Sequence, residues 1–186
     1  MTYWSLWLDY PSKLLNSTLN KQSDMTAKTP LALRVMRLAT FSSLCVVGSF
    51  IHPPAPIQTI AFDSAPGFFT ALNFGASEGA LVTGLGHLIT SIINGFPLGI
   101  LHLPIALGMA LAGALVGAVN KVHLKYGFIP AALAGVAVNT GLFAVAVPAL
   151  GWYASLLLLP FLLAASILNM GLAAAVYLAL RGRLRV

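Results

Sequence analysis

The stretch that decides the fold is FDSAPGFFTALNFGASEGALVTGLGHLITSIINGFPLG, Phe62 to Gly99. It is apolar enough for a bilayer, yet it carries Asp63, Asn73, Glu78, His87 and Asn94, and Gly and Pro interrupt it repeatedly. Polar side chains at membrane depth are costly and face a cavity or a partner. Gly and Pro breaks there mark helices that shape a binding site. The stretch therefore reads as part of an integral membrane protein with something to bind.

The rest of the chain agrees. Hydrophobic residues make up 59% and charged residues 8% of the 186, against about 25% charged in a soluble domain; mean hydropathy is +0.91. A bilayer core of roughly 30 Å needs about 20 apolar residues per helix. The reading is an all-α membrane bundle of about six helices, with spans near 32–51, 62–75, 77–94, 101–120, 128–148 and 152–180. Residues 28–186 form one transmembrane domain, preceded by a polar or interfacial arm, 1–27. The second and third spans are short and read as a hairpin about Gly75-Ala76-Ser77. A four-helix alternative, with 62–94 re-entrant, has the same parity.

Charge sets the orientation. Lys28, Arg34 and Arg37 open the first span, Lys121 and Lys125 follow the fourth, and Arg181, Arg183 and Arg185 follow the last. Under six spans all three clusters fall on one side, which the positive-inside rule makes the cytoplasm. The opposite loops, 52–61, 95–100 and 149–151, carry no Lys or Arg. Both termini are then cytoplasmic in a multi-pass inner-membrane protein. The net charge of +6 is a topology signal, and no basic face with interleaved aromatics points to nucleic acid. Cys45 is the sole cysteine, a packing residue with no disulfide to form. Residues 1–24, with Trp4, Trp7 and Tyr10, lack the apolar run and cleavage site of a signal peptide. They read either as an interfacial segment or as sequence upstream of a start at Met25.

Read residue by residue, several polar groups have two roles open. Asp63 and Ser64, with Pro66 behind them, suit the N-terminus of a helix, while Asp63 also suits a ligand contact. Glu78 opens the third helix, where its charge complements the helix dipole. His87, mid-span, is a packing histidine, a ligand contact or a ligand to a metal such as cobalt. His102 and His52 lie near the outer interface. Asn139 and Asn169 sit inside the fifth and sixth spans, suited to linking helices or holding a ligand. Asn94, Trp152 and Tyr153 lie at the outer interface, as belt residues or as a surface on which a flat heterocycle stacks. Ala39 and Ser43, four apart, permit close approach of another helix, internal or from a partner.

Three features together resemble the substrate-binding S components of energy-coupling factor (ECF) vitamin transporters. They are the first helix opening with Arg34 and Arg37 and bearing small residues; Pro66 to Gly75 followed by an acidic-glycine step and Gly84-Leu85-Gly86-His87; and Gly95-Phe96-Pro97-Leu98-Gly99 leading into His102 and the small-residue helix Ala106 to Gly117. The resemblance implies a six-helix subunit that captures a vitamin from the outer side and docks on a transmembrane coupling subunit driven by two cytoplasmic ATPases. The Gly-Phe-Pro-Leu step before a His is most similar to S components assigned to cobalamin or its α-ribazole precursor. Asp63, His87, Asn94, His102, Asn139, Trp152 and Tyr153 are then the substrate contacts, and Ala39 and Ser43 the docking stripe. ATP belongs to the partners, since this chain has no G-x-x-x-x-G-K-[ST] loop and no other cofactor is implied.

Two other classes compete. An intramembrane serine protease needs a Gly-x-Ser-Gly setting, whereas Ser77 precedes Glu78 at a turn, and a metalloprotease needs H-E-x-x-H, which is absent from the sequence. A ligand-free channel or assembly subunit would show a polar stripe or filter in the first case, and neither is visible.

Overall fold

The computed structural model describes residues 30–52, 55–56, 60–122 and 126–181. The arm 1–27, together with Lys28, Lys125, Arg183 and Arg185, lies outside the described residues. The chain separates into two units, Met1–Arg34 and Val35–Val186. Of the first, residues 30–34 are described; there the Arg34 N–H donates to the Pro30 carbonyl at 3.1 Å as the first helix begins. Everything below concerns the second unit.

Among the described residues all regular structure is helical, as expected. The helices are α1 Leu31–Ser49, α2 Ala65–Phe74, α3 Ala76–Ile93, α4 His102–Asn120, α5 Phe128–Gly141 and α6 Val147–Leu180, with 3-10 turns at Gly99–Leu101 and Leu142–Ala146. Four helical stretches are long and apolar enough to cross a membrane: Leu31–Ser49, Ala76–Ile93, Gly99–Asn120 and Phe128–Leu180. The span expected at 62–75 is shorter than read. Its helix α2 has 10 residues, about 15 Å of rise, half a bilayer core.

The 53-residue stretch Phe128–Leu180 is two antiparallel legs. The Phe128 and Tyr177 rings lie 6.4 Å apart, and the Thr140 and Ser166 hydroxyls 3.4 Å apart. Gly151, at φ 77 and ψ 167, interrupts α6 after its first turn, so the regular part begins at 152 as the sequence suggested.

The hairpin between α2 and α3 turns on one residue. Gly75 has φ 100, a conformation open to glycine and costly for a side chain. Beyond it, α3 and α4 pack nearly backbone to backbone. A Cβ on Gly113 would strike the Gly79 carbonyl and the Thr83 hydroxyl, and one on Gly117 would strike the Ala76 backbone. Such contacts are how helices associate where lipid removes the hydrophobic drive.

Polarity is arranged inside out. Thr70, Thr83, Thr90, Ser91, Ser166 and Asn169 are buried, whereas Leu107, Leu133 and Leu157 stand on the outside. Most of the buried hydroxyls donate back to their own helix, as Thr70 does to Pro66 (2.8 Å) and Thr90 to Gly86 (3.0 Å). The Thr83 oxygen lies 2.8 Å from both the Gly79 carbonyl and, across the interface, that of Met109.

The described basic residues of this unit gather at one end. Arg37 lies 3.8 Å from Glu78 in the first turn of α3, with its guanidinium 4.2 Å above the Phe74 ring. Lys121 reaches Gly75, and Arg181 stacks on Tyr177. Glu78 thus sits where its charge complements the α3 dipole, as expected, and it also ties α1 to the hairpin.

Candidate functional site

The candidate site is in the other half of the bundle. Before α2 the chain runs as an irregular segment, Ile60 to Ser64, inside the protein. The Phe62 N–H donates to the Ile51 carbonyl at 3.0 Å. Asn169, on α6, clamps the rest: its Oδ1 accepts the Ala65 N–H at 2.8 Å, and its Nδ2 donates to the carbonyls of Ala61 at 3.0 Å and Ala165 at 2.9 Å. Gly86 makes room for this segment, being close to Cys45 on one side and to the Asp63 carbonyl on the other. Asp63 therefore sits beside the eleventh residue of α3, about 15 Å from that helix's start.

The Asp63 carboxylate is 3% exposed. Its Oδ1 accepts the Ser64 hydroxyl at 3.0 Å, while Oδ2 is buried with no hydrogen-bond partner. The expected helix cap is not made. Ser64 is the N-cap of α2 by position, but its side chain makes no cap bond to the helix N–H groups, because its hydroxyl is turned to Asp63; the Ala65 N–H is met by Asn169 instead.

Asp63 opens on a cavity of about 70 Å³. Ser64, His87, Asn139 and Asn169 are its other polar walls; Leu98, Ile105, Met109, Leu142, Phe143 and Leu158 are among the apolar ones. A few placed polar groups in an apolar concavity are the general form of a small-molecule site. A larger groove of about 610 Å³ lies between α1, α2 and α6, lined by Phe41, Leu44, Val47, Phe69, Leu172 and Val176 among others. It offers a ligand no side-chain hydrogen bond, so the smaller, polar cavity is the better candidate.

Of the residues read from the sequence, Asp63, His87 and Asn139 meet at this cavity. His102 is wholly buried and stands behind His87: its Nδ1 is 3.2 Å from His87 Nε2 and 2.9 Å from Ser91 Oγ, and its Nε2 accepts the Leu98 N–H at 3.2 Å. Asn94 lies off the cavity, its amide donating to the Thr90 carbonyl at the end of α3 (2.9 Å). Trp152 and Tyr153 are 64% and 90% exposed and are not part of the wall; they follow the Gly151 break and face outward, as belt residues do. Ala39 and Ser43 are exposed on α1, and the Ser43 hydroxyl donates to the Ala39 carbonyl at 2.8 Å. Among the described residues neither is covered by another helix.

Ser91 carries no sequence signal of its own, Ser64 showed only as a helix-cap candidate, and Asn169 only as an amide inside a span. The Ser91–His102 contact has the look of a nucleophile and base. Yet Ser91 is wholly buried, off the cavity, with its proton given to the His87 carbonyl at 2.8 Å. No three His, Cys, Asp or Glu among the described residues assemble as a metal site. No family model, curated protein or solved structure matches this chain.

Proposed function

We propose that this chain is the substrate-binding S component of an ECF-type uptake transporter, taking a vitamin or vitamin precursor from the outer side of the cell membrane. One observation carries the reading: Asp63, His87 and Asn139, from the segment before α2, from α3 and from α5, converge with Ser64 and Asn169 on a mostly apolar cavity. In this reading six segments cross the bilayer, the second being residues 60–64 followed by α2. The end that gathers Arg37, Lys121 and Arg181 is cytoplasmic, so the cavity lies in the outer half. The exposed face of α1 with Ala39 and Ser43 docks on the transmembrane coupling subunit, and ATP is hydrolysed by two cytoplasmic partner subunits.

Size refines the substrate. Sites for drug-sized ligands span ~300–1,000 Å³, so a vitamin must spread the walls of a 70 Å³ cavity. Intact cobalamin demands the most spreading. A precursor such as α-ribazole demands much less, and is the better member of the cobalamin-related pair.

The Ser91–His102 contact favours a second reading, an intramembrane hydrolase. It is the weaker one, because substrate has no path to Ser91 from the cavity wall. The test is to purify the full chain in mild detergent, extract it and identify the released small molecules by mass spectrometry, then titrate the compound back by calorimetry. A vitamin or precursor that rebinds in the micromolar range or tighter supports the proposal. Failure to retain or bind any vitamin-type compound would sink it.

A further inference from the structure

A chain of hydrogen bonds behind the cavity wall fixes what His87 offers to it. His102 Nε2 accepts the Leu98 N–H, so this nitrogen bears no proton and the neutral ring carries its proton on Nδ1. That Nδ1 lies 2.9 Å from Ser91 Oγ and 3.2 Å from His87 Nε2. Ser91 has already given its own proton to the His87 carbonyl, so its oxygen is an acceptor here. A proton on His87 Nε2 would face the His102 Nδ1–H head on at 3.2 Å. His87 Nε2 is therefore bare, and its proton is on Nδ1; His87 is among the residues that line the cavity. The tautomer of one ring is set by the bond its other nitrogen makes.

Asp63 supplies the opposite polarity. Its Oδ2 is buried with no hydrogen-bond partner among the described residues, in a residue that lines the same cavity, and a buried polar atom left unpaired is costly. No Lys or Arg lines the cavity, and His52 is exposed and off the wall. An anionic ligand would meet a buried carboxylate with no cation beside it, in a medium where like charges repel strongly.

Resting on the substrate-binding reading above, we infer that this cavity selects an uncharged or cationic ligand that accepts a hydrogen bond from His87 Nδ1 and donates one to Asp63 Oδ2, and that it turns away carboxylates and phosphates. A nitrogen heterocycle with a ring-nitrogen acceptor and an N–H or O–H donor meets both demands. His102 and Ser91 are positioning residues, acting only through His87.

Two measurements test this. In the full chain labelled with ¹⁵N-histidine, two-bond ¹H–¹⁵N spectra report the tautomer of each ring. The chain has four histidines, and His52→Gln and His123→Gln variants assign two of them. Both remaining rings are expected as the Nδ1–H tautomer; an Nε2–H signal from either overturns the inference, whatever the protein transports. The second measurement is calorimetry of the parent and of Asp63→Asn with thiamine, pyridoxine, riboflavin and α-ribazole, and with the carboxylates biotin, pantothenate and nicotinate. Binding is expected only in the first group, weakened roughly 5- to 150-fold by Asp63→Asn. Tight binding of a carboxylate overturns the inference and leaves the transporter reading standing. Binding of nothing in either group counts against both, with the tautomer spectra still deciding the His87 donor independently.

Discussion

Ser64 donates its hydroxyl proton to Asp63 Oδ1 at 3.0 Å, and in doing so makes no cap bond of its own at the start of α2, where the Ala65 N–H goes to Asn169 instead. A cap of that kind typically contributes about 1 kcal/mol. Here the bond serves the carboxylate instead of the helix, which is the pattern expected where a site is favoured over stability.

Removing the clamp should cost more than removing a surface amide. Asn169→Ala strands the buried Ala65 N–H and the Ala61 carbonyl, each worth about 1–3 kcal/mol when left unpaired. Asn169→Asp keeps the bond to Ala65 and loses that to Ala61, so it should fall between parent and Ala in chemical denaturation. Ligand affinity should drop in the same order, because the segment carrying Asp63 is what the clamp holds.

Close packing of α3 on α4 makes a sharp contrast between two glycines. Gly113→Ala puts a methyl into the Gly79 carbonyl, whereas nothing lies within 4 Å of a Cβ on Gly171. Overpacking of that kind costs about 1–3 kcal/mol. Gly171→Ala should be neutral or slightly stabilising by helix propensity. Equal melting temperatures for the two variants would mean that the helices are not so closely apposed.

The exposed face of α1 separates docking from binding. Ala39→Leu and Ser43→Leu add bulk to residues exposed on this chain, so calorimetry on the isolated protein should give the parent's affinity within about twofold, a change of only ~0.4 kcal/mol. Uptake by cells carrying the coupling partners should fall at least tenfold, the effect of ~1.4 kcal/mol at a helix contact. Loss of binding along with uptake would assign the two residues to internal packing.

What the sequence made legible was punctuation and polarity. Gly75 and Gly151 end helices where a positive φ is needed, and the polar residues between Phe62 and Gly99 did identify the segment that reaches the cavity. The length of α2 was not legible, because Phe62 to Ser64 are as compatible with a helix as the residues after them. Periodicity places a residue along an axis without giving the direction of its neighbours' bonds, so His102 could not be seen to stand behind His87. Trp152 and Tyr153 were open to two roles for the same reason, until the turn at Gly151 gave them a direction. Asn169 was beyond reach: its partners Ala65 and Ala61 lie 104 and 108 positions away, and nothing local signals such a bond.

That separation also sets an order of events during biosynthesis. Chains emerge N-terminus first, at a few to some tens of residues per second. The segment bearing Asp63 is therefore made and threaded long before the amide that fastens it. Until α6 emerges, the backbone groups of Ala61 and Ala65 have no Asn169 to meet. A ribosome-stalled or truncated product ending before α6 would contain Asp63, His87 and Asn139 and still have no finished cavity. On the substrate-binding reading, ligand binding should therefore appear only once α6 has been made.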